Sequence, residues 1–230
     1  HYDKAWMTFR HIKRTVEDMG PYFFAASFTP KMRNNYDLPA GGIIALMESM
    51  RADPDERGIL RVIVNQFLGE YYEGKGDLEK AAQNFREMGV IRDWKLTGPF
   101  DNLSASGFDR VFPPESSYVK DAVYRGKNNI PVQWFDIPEY DSYYWINFRY
   151  HFPYTQSVFY ANTFVYSPEP QAIQLRIGTS GALKAFLNDE LMIAYFDENN
   201  NDLDTYIVET TLQKGWNRLL IKCGFSEIAN

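Results

Sequence analysis

The spacing of apolar residues changes near residue 90 of the chain. Before that point, apolar residues recur every three to four positions, which is the period of an amphipathic helix. After it, apolar and polar residues alternate in short segments separated by glycine, proline and asparagine, as is typical of β-strands and turns. The pattern predicts a helical segment over residues 1–90 and a strand-rich segment over residues 91–230.

Four helices are predicted in the first segment. The first three follow an apolar stripe and stop at glycine, proline or aspartate. A tight turn, Gly-Lys-Gly-Asp at residues 74–77, separates the last two helices, and Asp77 is the expected N-cap of the last one. The predicted ranges are about 5–19, 43–52, 56–73 and 78–88.

The last two helices have the residue spacing of one tetratricopeptide repeat, a helical hairpin of about 34 residues. Gly69 and Ala81 are small at the positions where the two helices are expected to cross closely. Asn65 and Asp93 depart from the repeat, which usually has tryptophan and proline there. About three repeats are needed to bury a continuous core, so we expect the end of a longer array. The matching residues are Leu68, Gly69, Tyr72, Gly76, Ala81 and Phe85.

Short strands with turn residues between them are predicted in the second segment. A first strand begins near residue 92 and leads into a turn at Gly98-Pro99, and residues 101–130 are rich in loop-forming residues. Closely spaced short strands favour an antiparallel sandwich or jelly roll. The predicted fold class is α+β, segregated: helical hairpins followed by an antiparallel β-sandwich. The other predicted strands are 131–136, 143–152, 158–166, 171–177, 182–187, 190–196, 205–212 and 216–223.

Three stretches of the strand-rich segment carry a family resemblance. They are residues 94–102 with 107–109 and 112–115, residues 160–164 with 167–169, and residues 183–189 with 212–222. The segment resembles a module of large exported bacterial proteins, in which it accompanies tetratricopeptide repeats and sometimes transglutaminase-like domains. The last two stretches also resemble the jelly-roll, sugar-binding-like domains of many glycoside hydrolases. The resemblance implies a jelly-roll fold and an extracytoplasmic location in a bacterium.

The sequence departs from that resemblance at two places. Asp189 stands where the hairpin usually has glycine, although Asn188-Asp189 still suits a tight turn. Thr179-Ser180 replaces an acidic pair, which puts a calcium or sugar site at that position in doubt.

Composition narrows the classes of partner. The formal net charge is −6 and no block of lysine and arginine is present, which argues against nucleic acid and anionic membranes. No apolar run reaches the ~20 residues of a membrane span. The aromatic content of 17% suits both a packed sheet and a ligand-binding surface. Because the chain starts at His1 without methionine, we expect an excised piece of a larger protein.

The sequence contains no recognisable catalytic motif. Its three histidines, His1, His11 and His151, are not accompanied by a Gly-x-Ser-x-Gly elbow, and phosphate loops and dinucleotide fingerprints are missing as well. Cys223 alternates with Leu219 and Ile221 and is expected in the core. A carboxylate pair for glycoside hydrolysis stays open, because such pairs are defined by distance in space. Because the recognisable catalytic motifs are missing, we predict that the chain is not an enzyme.

The predicted strand 143–152 is the first candidate binding site. Its even positions are apolar and are assigned to the core, which leaves the odd positions together on the other face. Aromatic rings can cover the C–H face of a sugar while amide, guanidinium and imidazole groups bond its hydroxyls. The alternative is that this face packs against the helices or a neighbouring domain. The candidate ligand-binding residues are Tyr143, Trp145, Asn147, Arg149 and His151.

A loop rich in asparagine and aspartate is a candidate calcium site. Asp197, Asn199 and Asn201 have the spacing of the first ligands of a calcium loop. Asp202 and Val208 occupy positions where such a loop has glycine and glutamate, so an ordinary hairpin loop is the alternative. No other cofactor is predicted.

The sequence thus predicts a non-catalytic binding or spacer module of a larger exported bacterial protein, with carbohydrate as the ligand class. Two alternatives stay open. One is a scaffold in which the helices bind a protein partner and the sandwich is structural. The other is an accessory domain of an enzyme whose active site lies elsewhere.

Overall fold

A computed structural model describes most of the chain, which divides into two compact units, residues 1–91 and 92–230. Helices occupy the first unit, and antiparallel strands dominate the second. Within the described part of the chain, no helix is long and apolar enough to cross a membrane. The structure describes residues 4, 7, 8, 11, 43–54, 58–137, 145–152 (for Arg149 the backbone only), 155–198 and 204–226.

Three helices of the first unit fall where the sequence predicts them: α1, Ile43–Ala52; α2, Ile59–Gly74; and α3, Leu78–Glu87. The Oδ1 atom of Asp77 accepts a hydrogen bond from the backbone N–H of Lys80 at 3.2 Å, which confirms Asp77 as the N-cap. The predicted helix 5–19 lies largely outside the described residues, although residues 7, 8 and 11 are helical.

Helices α2 and α3 form a closely packed hairpin. A Cβ atom added to Gly69 would lie 2.6–2.8 Å from ring atoms of the buried Phe85, so this crossing requires glycine. Tyr72 packs against the core shared by α1 and α2, and its hydroxyl donates to Glu48 of α1 at 2.6 Å.

The second unit is built on a six-stranded antiparallel sheet in the order β4-β1-β5-β10-β7-β8. Two further pairs, β2 with β3 and β6 with β9, are also antiparallel. The strands are β1, Lys95–Asp101; β2, Val123–Arg125; β3, Pro131–Gln133; β4, Phe135–Asp136; β5, Ser157–Ser167; β6, Gln171–Ile177; β7, Ala182–Leu187; β8, Glu190–Tyr195; β9, Tyr206–Leu212; and β10, Gly215–Phe225.

Strands β5 and β10 form the long central pair, with residues in register from Gly215 opposite Ser167 to Phe225 opposite Ser157. Directly opposed residues share a face of the sheet. One face, here called the front face, therefore carries Tyr160, Asn162, Phe164 and Tyr166 of β5 and Trp216, Arg218, Leu220 and Lys222 of β10. The back face carries Cys223, which is buried as predicted; burial raises the pKa of its thiol to about 12.

A long segment, residues 102–134, packs over the front face. It contributes Phe112, Val132 and Trp134 to a core that includes Phe100 and Tyr160 of the sheet. The sequence predicts loop for residues 101–130, but this segment also contains the helical turn α4, Pro113–Ser116, and strand β2. Both faces of the central strand pair are thus buried over most of their length.

Two local predictions are wrong. Gly98-Pro99 is not a turn after a strand; it is an irregularity inside β1, where the register with β5 shifts between Thr97 and Phe100. Residues 145–147 are irregular, and Phe148–His151 forms a helical turn, α5, in place of the predicted strand.

The error over 143–152 has a simple origin. Phe148 and Phe152 are four residues apart, which places them on one side of a helical turn as well as on one face of a strand. Phe152 is buried and stacks on Phe159 with ring centroids 4.5 Å apart. Tyr150, which the strand assigns to the core, is 78% exposed.

Candidate functional site

Four aromatic side chains meet at one end of the front face. Phe164, Tyr166 and Trp216 are 42%, 57% and 70% exposed. The rings of Tyr166 and Trp216, which are opposite each other in register, lie 5.3 Å apart at an interplanar angle of 64°. Tyr118 from the covering segment contacts Phe164, with ring centroids 5.4 Å apart at 75°. These four residues, here called the aromatic patch, form an exposed apolar surface of the kind that marks binding sites.

The turn before β10 explains why Trp216 faces solvent. Asn217 is fully buried, and its side chain accepts from the backbone N–H of Gln213 at 2.8 Å and donates to the Gln213 carbonyl at 2.7 Å. Gly215 has φ of 101°, a conformation that favours glycine. Asn217 points to the back face of the sheet. Since neighbouring strand residues point to opposite faces, Trp216 points to the front face.

Arg218 lies beside the patch, opposite Phe164 in the register of β5 and β10. Its guanidinium group donates to Asn162 Oδ1 at 2.8 Å, to Asp189 Oδ1 at 2.6 Å and to the carbonyl of Pro114 at 2.6 Å. Asp189 is exposed in the β7–β8 hairpin, where it has the positive φ expected of this turn. The pair brings a carboxylate and bound N–H groups to the edge of the aromatic patch.

A second ion pair, Lys95 with Asp136, lies near the other side of the patch. Lys95 is opposite Asn162 on the front face, and Asp136 is opposite Lys95 on β4. The pKa of Tyr118 is raised chiefly by burial; Lys95 lowers it and Asp136 raises it. The aromatic patch is thus bordered on two sides by neutralised charge pairs.

Deeper under the covering segment, Lys222 is fully buried beside Glu115. Its Nζ atom donates to Glu115 Oε1 at 2.9 Å and to the carbonyl of Arg110 at 2.7 Å. Tyr160 donates to the same carboxylate oxygen, and the pKa of its hydroxyl is raised strongly, first by burial and then by Glu115. Burial lowers the pKa of Lys222, while Glu115 opposes that shift. These contacts hold the covering segment on the sheet, and Lys222 itself is inaccessible to a ligand.

The structure does not bring the residues of the sequence-predicted binding site onto one strand face. Trp145 and Asn147 are half-buried in the irregular segment. His151 is half-buried in α5 with its ring 5.9 Å from that of Phe135. The backbone of Arg149 is in the same helical turn, and Tyr143 lies outside the described residues. Sugar binding by these residues stays a prediction, but the strand that would have placed them side by side is not formed by residues 145–152.

The predicted calcium loop is described only in part. Asp197 is exposed and lines a shallow depression with Asn102, Phe108 and Glu198, while Asn199 and Asn201 lie outside the described residues. In the described portion of the chain, no group of three or more His, Cys, Asp and Glu residues is placed to hold a metal ion. Calcium binding stays a prediction.

Sequence reasoning missed the aromatic patch. On the same face of β5 as Phe164 and Tyr166, the preceding residues Asn162 and Tyr160 are buried. Trp216 lies between Gly215 and Asn217 in a recognisable turn motif. The alternation places Phe164 and Tyr166 on one face of β5, but it neither relates Trp216 to that face nor tells which end of the face stays uncovered. A pairing of β5 with β10 would have been needed to find the site.

No protein-family model and no curated protein matches the chain. Among solved structures, it is similar to a beta-glucosidase from Kluyveromyces marxianus in complex with glucose, with a TM-score of 0.29 and 14% sequence identity. The match covers 56% of this chain and 14% of that enzyme chain.

Proposed function

We propose that this chain is a non-catalytic binding module of a larger exported bacterial protein and that its ligand is a carbohydrate. The observation that carries the proposal is the aromatic patch. Its exposed rings offer apolar surfaces for the C–H face of a sugar, and the neighbouring Asp189 carboxylate offers an acceptor for sugar hydroxyls.

We further propose that the second unit is a jelly-roll-like sandwich. The main support is the burial of both faces of the β5–β10 pair, because a sheet buried on both sides needs a covering layer on each. In this arrangement, the covering segment closes the front face over the middle of the β5–β10 pair and leaves the aromatic patch exposed.

The proposal is tested with a glycan array and Trp216→Ala. Because Trp216 is 70% exposed, we expect the variant to fold normally and to bind its glycan about tenfold or more weakly. Trp145→Ala is the matched control and keeps wild-type affinity. Loss of binding in Trp145→Ala alone would move the site to residues 143–151, and an array without any specific signal would refute the carbohydrate function.

A protein-interaction scaffold is the second candidate, favoured by the close crossing of α2 and α3 at Gly69 and Phe85. Such a crossing is compatible with a tetratricopeptide-like hairpin, whose arrays commonly bind peptides. If the chain is such a scaffold, we expect the immobilised chain to capture a protein partner, and we expect substitution of Trp216 to leave the amount of captured partner unchanged. An accessory role beside a catalytic domain is compatible with either candidate.

A further inference from the structure

Two ion pairs border the aromatic patch, and Asp121, whose charge joins burial in raising the pKa of Tyr118, adds negative charge beside it. Lys95 is paired with Asp136, and Arg218 is paired with Asp189. Arg218 also donates to Asn162 and to the Pro114 carbonyl and is only 9% exposed, so little of its guanidinium group is accessible to an incoming anion. Exposed Lys214 and Glu169, in the turns at this end of β5 and β10, add one charge of each sign.

An acidic glycan gains little from such a surface. Strong binding of a carboxylate or sulfate is favoured by a cation whose own charge is not already neutralised, as in a basic patch. Here the carboxylates Asp136 and Asp189 would repel it from positions next to the cations. A neutral sugar avoids this cost and can still bond to Asp189 through its hydroxyl groups.

The angles between the rings limit the shape of the ligand. The ring planes of Tyr166 and Trp216 are inclined at 64°, and those of Tyr118 and Phe164 at 75°. A flat crystalline polysaccharide can stack on several rings at once only when the rings are coplanar. Inclined neighbours instead suit a single chain whose successive sugar units are rotated relative to each other.

We infer that the aromatic patch selects neutral, single oligosaccharide chains over acidic glycans and over crystalline polysaccharide surfaces. This inference rests on the proposed function. It specifies that the ligand is uncharged and that it binds as a single chain.

The test compares three classes of probe with the full 230-residue chain. Calorimetry is run with neutral glucan, xylan and mannan hexasaccharides and with oligogalacturonate and heparin hexasaccharides, and sedimentation is run with microcrystalline cellulose and chitin. We expect binding to at least one neutral hexasaccharide, weakened about tenfold or more by Trp216→Ala and changed less than about twofold between 50 and 500 mM NaCl. Tyr150→Ala, which removes an exposed aromatic ring outside the aromatic patch, is the control and binds like wild type.

Two results would overturn the inference while leaving the proposed function intact. One is a preference for the acidic hexasaccharides that weakens steeply with salt. The other is Trp216-dependent sedimentation with the crystalline polymers without binding of the soluble chains. Absence of binding to all three classes would refute both the inference and the proposed function.

Discussion

At the scale of single residues, Lys222 illustrates how a charged side chain is retained inside this fold. It is fully buried, and its ammonium group is held by the Glu115 carboxylate and the Arg110 carbonyl. Desolvation of two buried ions costs more free energy than desolvation of an ion pair at the surface. The free-energy contribution of the Lys222–Glu115 pair therefore depends on both partners being present. The pair connects the sheet with α4 and thereby keeps the covering segment in place.

Removing one partner of this pair is expected to be costly. Lys222→Met should lower the free energy of unfolding of the second unit by about 3 kcal/mol, because it leaves the Glu115 carboxylate largely buried without its cation. The double variant Lys222→Met/Glu115→Gln should be less destabilised than the single one. Denaturant titration followed by tryptophan fluorescence measures both.

Lys184→Met provides the control for that experiment. Lys184 is opposite Lys222 on the adjacent strand, but its partner Asp109 is exposed. Removal of this pair should change the unfolding free energy by less than about 1 kcal/mol. Equal losses for the two lysine variants would contradict the role assigned to the buried pair.

Tyr72 is expected to make the helical unit sensitive to alkaline pH. Burial, followed by the hydrogen bond to Glu48, raises the pKa of Tyr72 from 10.0 to about 12. The folded state therefore keeps this proton after the unfolded chain has lost it, so the stabilisation is complete below pH 10 and is lost as the pH rises toward 12.

Tyr72→Phe tests this dependence. Between pH 10 and 12, the wild type should lose stability more steeply than the variant, as measured by helical circular dichroism during denaturant titration. At pH 7, the variant lacks only the bond to Glu48, at a cost of about 1 kcal/mol. Parallel pH profiles would show that Tyr72 does not control the alkaline transition.

At the scale of elements, the contact between α2 and α3 depends on a missing side chain. Gly69 lies against the ring of Phe85, whereas Gly74 at the end of α2 has open space around the position of a Cβ atom. The two glycines therefore offer the same substitution in a crowded and in an open environment.

Gly69→Ala should destabilise the helical unit by about 1 kcal/mol, because the cost of overpacking Phe85 exceeds the gain in helix propensity. Gly74→Ala should leave stability unchanged or raise it by up to about 1 kcal/mol. Thermal unfolding followed at 222 nm gives both values. A stabilised Gly69→Ala variant would mean that the helices can separate at this crossing without loss.

At the scale of the whole molecule, the helices and the sheet form two units, and the aromatic patch belongs entirely to residues 92–230. Each of its four members comes from the sheet or from the segment that covers it. The four rings of the proposed carbohydrate site are thus all supplied by residues 92–230.

Residues 92–230 produced alone should therefore fold and bind the same neutral oligosaccharide with an affinity within about twofold of the full chain. A folded fragment that does not bind would place part of the ligand site in the helical unit. Circular dichroism confirms the fold before calorimetry measures the affinity.

The local pattern of the sequence determined most elements of this protein. Helical periodicity located α1, α2 and α3, and Asp77 marked the start of the last one. Alternation located the strands from β5 to β10 to within about two residues, and Asn188-Asp189 marked the β7–β8 hairpin. These features depend on neighbours close in the chain, so a single sequence contains the information for them.

Only the tertiary structure decided which part of the front face stays exposed. Tyr160 and Tyr166 are both aromatic residues of β5 with the same orientation, yet the first is buried and the second is not. The difference arises because Glu115, more than 40 residues away in the chain, holds the covering segment over one end of the strand alone. Pairing between strands and coverage by a distant segment depend on contacts far apart in sequence, and local alternation does not encode them.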